Sequence, residues 1–89
     1  MLNESDRNTI IKFAQKYNVS AIYLFGSSLD AKAQARDIDL GVKGVDPKLF
    51  FKFYGELSRH LSKELDLVDL STQSLFNTLV EKRGVKIYG

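Results

Sequence analysis

The sequence predicts a single α/β (α+β) domain in which a small mixed sheet of about four strands is flanked by helices. At 89 residues, the chain suffices for one core, so residues 1–89 are expected to form one domain. Helical and strand patterns alternate along it without repeats, low-complexity segments or linkers. Hydrophobic residues make up 44% of the chain, which favours a packed globule over a disordered tail.

The first half of the chain predicts a helix, a buried strand and a short helical turn. Ser5 is a candidate N-cap for the helix, and Asn18 is a candidate left-handed end. Residues 21–25 form an apolar run with branched and aromatic side chains, which predicts a strand that ends at Gly26. Residues 28–35 are rich in alanine and favour a helical turn. The stripe of the first helix consists of Ile10, Phe13, Ala14 and Tyr17.

The second half predicts three more strands and two helices. Acidic and aliphatic residues alternate over residues 37–42, which indicates a strand with one acidic face. Asp46 followed by Pro47 predicts the start of a helix, and Ser71 is a candidate cap for the next one. Residues 65–70 and 85–88 read as strands. The apolar positions of the two helices are Leu49, Phe50, Phe53, Leu57 and Leu61, then Leu75, Phe76, Leu79 and Val80.

Composition and charge narrow the possible functions. The absence of cysteine excludes a disulfide framework and a thiolate metal site, and it fits a cytoplasmic protein. The polar N-terminus does not resemble a signal peptide, and no apolar run reaches membrane-spanning length. The formal charge is only +2, and the basic residues are scattered. Direct binding to nucleic acid or to a membrane is therefore not expected.

Gly26, Ser27 and Ser28 follow the first predicted strand and form a candidate phosphate-binding loop. Glycine permits close approach of the backbone to a ligand, and the serines offer amide and hydroxyl donors. The alternative is an ordinary turn, which the same residues also favour.

Asp37 and Asp39 are candidate ligands for a divalent cation. Residues two apart on a strand point to the same side, with Cα atoms roughly 6.6 Å apart. Carboxylates so placed repel each other unless a cation or protons compensate them, and hard oxygen ligands suit Mg²⁺. The alternative is a solvated acidic face on an edge strand.

Asp69 is the candidate for a third acid, and Asp66 is its rival. Three acids could hold two metal ions, one on a triphosphate and one on the attacking oxygen. The spacing of three residues puts Asp66 and Asp69 on opposite faces of a strand, and Asp66 can equally belong to the turn before it.

These motifs resemble the minimal nucleotidyltransferases of the polymerase-beta superfamily. The resemblance rests on Phe25-Gly26-Ser27, on residues 36–40 (Arg-Asp-Ile-Asp-Leu), on residues 67–70 (Leu-Val-Asp-Leu) and on residues 84–88 (Gly-Val-Lys-Ile-Tyr). Within the superfamily, the chain is most similar to the MNT group, which pairs with HEPN-domain ribonucleases in toxin–antitoxin modules.

The resemblance implies transfer of a nucleoside monophosphate, usually AMP from ATP, to a hydroxyl group with loss of pyrophosphate. In the antitoxin group, the acceptor is a tyrosine of the partner HEPN toxin. The nucleotide would bind at Gly26, Ser27 and Ser28. Asp37 and Asp39 would hold two Mg²⁺ ions, and Asp69 would assist the ion that activates the acceptor.

The sequence departs from the family pattern at two residues and in the loop between the Gly-Ser and Asp-x-Asp motifs, which is about one residue short. Ser28 stands where many relatives carry a basic residue, and Arg36 stands where a small polar residue is usual. Arg36 or Lys32 is a candidate for the missing positive charge, the alternative being a solvent-facing side chain.

Two other functions fit the same residues. A degenerate site on the same fold would neutralise a partner protein by occlusion alone. A fragment of an RNA nucleotidyltransferase is disfavoured because the chain has no basic stripe. His60 is expected at a helix surface, and any exposed ring among Phe50, Phe51, Phe53 and Tyr54 is a candidate partner contact.

Overall fold

The computed structural model describes residues 2–29 and 36–89, and its elements alternate as the sequence predicts. Two short 3-10 helices, Gly26–Leu29 and Pro47–Leu49, supplement the regular elements. The others are helix α1 (Glu4–Lys16), strand β1 (Ala21–Phe25), strand β2 (Asp37–Lys43), helix α2 (Phe50–His60), strand β3 (Glu64–Asp69), helix α3 (Leu75–Arg83) and strand β4 (Val85–Tyr88).

The four strands form one mixed sheet in the order β3-β2-β1-β4. Strand β1 pairs in antiparallel fashion with both β2 and β4, whereas β2 and β3 run parallel. A parallel pair needs a crossover, which α2 provides between β2 and β3. The predicted fold class, a small mixed sheet flanked by helices, is confirmed.

The helix ends follow local side-chain chemistry, but two predicted caps were wrong. Asn3, rather than Ser5, caps α1, because its side chain accepts a hydrogen bond of 2.7 Å from the Asp6 amide. Ser74, rather than Ser71, caps α3 by accepting from the Asn77 amide. Several capping residues precede each helix, and the pattern alone does not choose among them.

Two other predicted boundaries hold, whereas most of the helical turn predicted at residues 28–35 lies outside the described residues, and the strand predicted at residues 65–70 is observed as Glu64–Asp69. Asn18 has a φ of 54°, which confirms the left-handed end after α1. Asp46 accepts a hydrogen bond from the Lys48 amide at 2.9 Å and so caps the 3-10 turn that leads into α2.

The hydrophobic core lies between one face of the sheet and helices α1 and α2. Ile38, Leu40 and Val42 of β2 point into it, as the alternating pattern predicts. The core also contains Ile10, Phe13, Ala14, Val19, Ile22, Leu24, Val45, Phe53, Leu57, Leu65 and Leu67. Among the described residues, no helix is both long and apolar enough to cross a membrane.

Helix α3 does not bury the apolar stripe that the sequence predicts. Val80 is buried, but Leu75, Phe76 and Leu79 are 79%, 52% and 39% exposed. Leu49, before α2, is also exposed. Helices α1 and α2 fill the main core on one face of the sheet. Helix α3 packs on the other face, which covers only part of its apolar surface.

Asp6 joins α1 to the turn between α2 and β3. Asp6 is 5% exposed as a residue, and its carboxylate accepts hydrogen bonds from the amide of Ser62, at 3.0 Å, and from the Ser62 hydroxyl. A buried carboxylate without such donors would be costly, so these bonds hold the entry to β3 against α1.

We expect Asp6→Ala to lower the free energy of unfolding by about 1–3 kcal/mol, because it leaves the Ser62 donors without an acceptor. Urea denaturation measures the change. Glu4→Ala is the control, because Glu4 is exposed in the same helical turn and its loss should cost less than about 0.5 kcal/mol. Equal losses in both variants would contradict this role of Asp6.

Candidate functional site

The sheet face opposite the α1–α2 core is open where α3 does not cover it, and the acidic residues of β2 lie on this open face. Ile38 and Leu40 are buried in the core, so the intervening Asp39 and the preceding Asp37 project from the other side. Asp37 is exposed, and Asp39 is partly buried. The structure therefore places the two predicted acids on one face, as the alternation requires.

The parallel pairing of β2 and β3 brings Asp66 to this pair. Asp39 lies opposite Asp66 in the register, and Asp37 lies opposite Glu64. Neighbouring strands are about 4.8 Å apart, and paired residues share a face. The open face thus carries Asp37, Asp39, Glu64 and Asp66 in two adjacent columns.

The structure does not bring Asp69 to the same place. Asp69 lies opposite Val42, three residues along the strand from the Asp39–Asp66 pair. Its carboxylate accepts a hydrogen bond of 2.9 Å from the Ser71 amide, which shapes the turn after β3. The register therefore favours Asp66, the rival, as the third acid.

The alternation within β3 contains the signal that selects Asp66. Leu65 and Leu67 are buried in the core, just as Ile38 and Leu40 are. Asp66 between them must face the same way as Asp39, whereas Asp69 has the parity of the core residues. The sequence alone does not give the strand register, which puts Asp66 level with Asp39.

The crowding of these carboxylates affects the pKa of Asp39. Burial raises the pKa of Asp39, and the negative charges of Asp66 and then Asp37 raise it further. Both effects disfavour the ionised form. A cation bound on this face would offset the repulsion between the carboxylates and so favour their ionised forms. Such crowding of negative charge favours a metal site.

Gly26 places the end of β1 directly against Asp39. Its φ is 67°, and a Cβ atom added to it would lie 2.6 Å from Asp39 Oδ2. The backbone and the carboxylate are therefore in close contact where the 3-10 helix Gly26–Leu29 begins. A phosphate that approached the Gly26 backbone would lie beside the acids.

The structure describes only some of the other residues that the sequence analysis singles out. The side chains of Ser27 and Ser28, and Lys32 as a whole, lie outside the described part of the chain. Arg36 is exposed immediately before β2, next to Asp37. His60 lies on the surface of α2, where its Nδ1 is 2.7 Å from the Glu56 carbonyl oxygen and its ring packs on Phe13.

The acids fit Mg²⁺ in their chemistry. Within residues 2–29 and 36–89, no three acidic, histidine or cysteine side chains close around a single ion. Mg²⁺ does not need such a cage, because it retains water and binds one or two carboxylates together with substrate phosphates. Asp37 and Asp39 provide such a partial donor set, with Asp66 beside Asp39.

An apolar crevice adjoins the site on the β1 side. It has a volume of about 220 Å³ and lies between α3 and the end of β1. The ring of Phe76 contacts that of Phe25 edge-on, with centroids 5.8 Å apart. The crevice is lined by Phe25, Gly26, Leu29, Phe76, Leu79, Val80, Arg83 and Gly84.

Comparison with known proteins gives one family and one group of structures. The family model described as polymerase beta, nucleotidyltransferase matches residues 8–89. No curated protein sequence matches the chain significantly.

Several of the similar solved structures are toxin–antitoxin complexes. A toxin–antitoxin structure with AMP-PNP matches at 28% identity and a TM-score of 0.75, covering 93% of this chain and 73% of the other. A MntA-HepT complex matches at 26% identity and a TM-score of 0.72, covering 98% and 73%. The MNT antitoxin complex with a tri-AMPylated Shewanella oneidensis HEPN toxin matches at 27% identity and a TM-score of 0.70, covering 94% and 70%.

We expect Gly26→Ala to lower the free energy of unfolding by about 1–3 kcal/mol, because the left-handed backbone and the Asp39 carboxylate both oppose a Cβ atom. Gly55→Ala is the matched control. Gly55 lies inside α2, where the nearest atom to an added Cβ is 3.8 Å away, and alanine should stabilise the helix by about 0.5–1 kcal/mol. Thermal denaturation measures both. Similar shifts in the two variants would contradict the contact at Gly26.

Proposed function

The chain belongs to the polymerase beta nucleotidyltransferase family, and we propose that it transfers AMP from ATP to a tyrosine hydroxyl of a partner HEPN toxin, and so acts as an antitoxin. The observation that carries this proposal is the β2–β3 register, which places Asp66 level with Asp39 on the open face. Gly26 lies against the same carboxylate, so a phosphate-binding backbone and a group of metal ligands meet at one point.

Each residue has a distinct part in the proposed reaction. Gly26, with Ser27 and Ser28, binds the triphosphate through close backbone approach. Asp37 and Asp39 hold Mg²⁺, and Asp66 lies on the side of the pair away from Gly26, where the acceptor hydroxyl enters. When bound, two Mg²⁺ ions neutralise the phosphates and lower the pKa of the acceptor hydroxyl.

The transfer itself is a displacement at the α-phosphorus. The acceptor oxygen bonds to phosphorus while the bond to the bridging oxygen breaks, and pyrophosphate leaves with the electron pair. The hydroxyl proton passes to a carboxylate of the site or to water. The protein contributes mainly orientation and charge compensation, as in other phosphoryl transfers.

The similar structures support the choice of nucleotide and acceptor. One contains AMP-PNP, an ATP analogue, and another contains a tri-AMPylated HEPN toxin. The resemblance of the sequence to the MNT group supports a tyrosine as the acceptor. The open face leaves room for a protein acceptor, because Asp37 and Asp66 are exposed.

Neutralisation by binding alone is the second candidate, and the exposed apolar residues of α3 favour it. The two candidates differ in whether neutralisation of the toxin requires the acids. An occluding module would protect cells from the toxin with or without Asp37 and Asp39.

We expect purified chain, labelled ATP and Mg²⁺ to label the HEPN toxin of the proposed pair. Asp37→Ala/Asp39→Ala should reduce this labelling roughly 100-fold or more, because it removes the charge compensation of the phosphates. Circular dichroism and partner binding confirm that the variant is folded. Labelling that persists in the folded variant would refute catalysis at these acids, and undiminished cell protection by the variant would favour occlusion.

The third acid can be identified by a matched pair of variants. We expect Asp66→Asn to lower the transfer rate roughly 100-fold, since a neutral amide replaces the carboxylate beside Asp39. Asp69→Asn should leave the rate within about threefold, because the asparagine oxygen can still accept from the Ser71 amide. Single-turnover rates measure both. The reverse order would assign the role to Asp69.

A further inference from the structure

Helix α3 presents an apolar surface to solvent on the same side of the sheet as the acids. We call Leu75, Phe76 and Leu79, with the adjoining crevice, the α3 patch. The three side chains are 79%, 52% and 39% exposed, and Val85 at the start of β4 is 43% exposed. Contiguous exposed apolar surface of this kind marks interaction sites in soluble proteins.

The crevice in the patch has the size of a side-chain pocket. Its volume of about 220 Å³ is below the range of about 300–1,000 Å³ that is typical of small-molecule sites. Its walls are formed largely by Phe25, Leu29, Phe76 and Leu79, with the charged residue Arg83 among them. One apolar side chain of a partner, next to an acidic group, fits this lining.

The α3 patch is continuous with the acidic site. Phe25 contacts Phe76 and lies opposite Asp39 in the β1–β2 register, and Gly26 borders both the crevice and the Asp39 carboxylate. A polypeptide held at α3 is therefore already beside the acids. A transferase that modifies a protein needs such an adjacent anchor to orient the acceptor.

Charge distinguishes the possible occupants. Arg83 lines the crevice, Lys82 is exposed beside it, and the Lys86 ammonium lies on the same side of the sheet, 5.9 Å from the centre of the Tyr23 ring. If a second copy of this chain docked symmetrically on the patch, the cations of the two copies would face and repel each other. A partner with acidic residues around an apolar anchor is complementary.

From these observations, and resting on the proposed function, we propose that the HEPN toxin docks on the α3 patch. It inserts an apolar side chain into the crevice and pairs an acidic residue with Arg83. This contact holds the toxin while its acceptor hydroxyl reaches the acids.

The test is the affinity for the HEPN toxin of the proposed pair, measured by calorimetry without nucleotide. Leu75→Glu/Leu79→Glu should weaken binding roughly 100-fold, since it places charge in an apolar interface core. The matched control is Asn8→Glu on α1, which adds negative charge at an exposed position on the opposite side of the sheet and should alter affinity less than about threefold.

Arg83→Glu separates the charge from the apolar contact. It should weaken binding roughly tenfold or more by opposing the acidic residue of the toxin. Arg83→Lys should recover most of the affinity, because the positive charge is retained.

Two results would overturn the docking proposal. One is unchanged affinity in Leu75→Glu/Leu79→Glu, with or without a raised KM for ATP. The other is loss of a dimer of this chain in that variant, measured by ultracentrifugation. The proposed function fails separately. Binding that depends on α3 without any AMP transfer would retain the docking surface and reject the transferase.

Discussion

The parallel pairing of β2 with β3 is the constraint on which the site depends. Because side chains alternate along a strand, the pairing that buries Leu40 against Leu67 also sets Asp39 beside Asp66 on the other face. A slip of one residue would turn the acids into the core. Burial of the core residues, which stabilises the fold, therefore also positions the acids on the other face of the sheet.

The same arrangement has an electrostatic cost. The pKa of Asp39 is raised by burial and by two neighbouring carboxylates, so the acids weaken the metal-free fold. Contacts elsewhere offset this, including the buried Asp6–Ser62 link and the core between α1, α2 and the sheet. Binding of a cation and a nucleotide to the native state would recover part of the lost stability by mass action.

Sequence patterns predict the strands and the acid pair well, because periodicity reports directly on which face a residue occupies. They are insufficient where the answer depends on a second segment. Alternation within β3 separates the faces of Asp66 and Asp69, but only the strand register sets Asp66 level with Asp39, and the path of a turn decides between Ser71 and Ser74 as the cap. Helical spacing identifies the apolar stripe of α3, but it does not indicate that Leu75 and Phe76 are exposed in the folded chain. The motif suggests a phosphate loop at Gly26, but only the folded chain places Asp39 against it.

The central claim, that Asp37, Asp39 and Asp66 together form a two-ion site, is tested most directly by counting bound ions. Electron paramagnetic resonance with Mn²⁺ and a non-hydrolysable ATP analogue measures the stoichiometry. The account predicts two ions per chain in the unaltered protein and in Asp69→Asn, and one in Asp66→Asn. Equal stoichiometry with and without the Asp66 carboxylate, or loss of an ion only in Asp69→Asn, would contradict it.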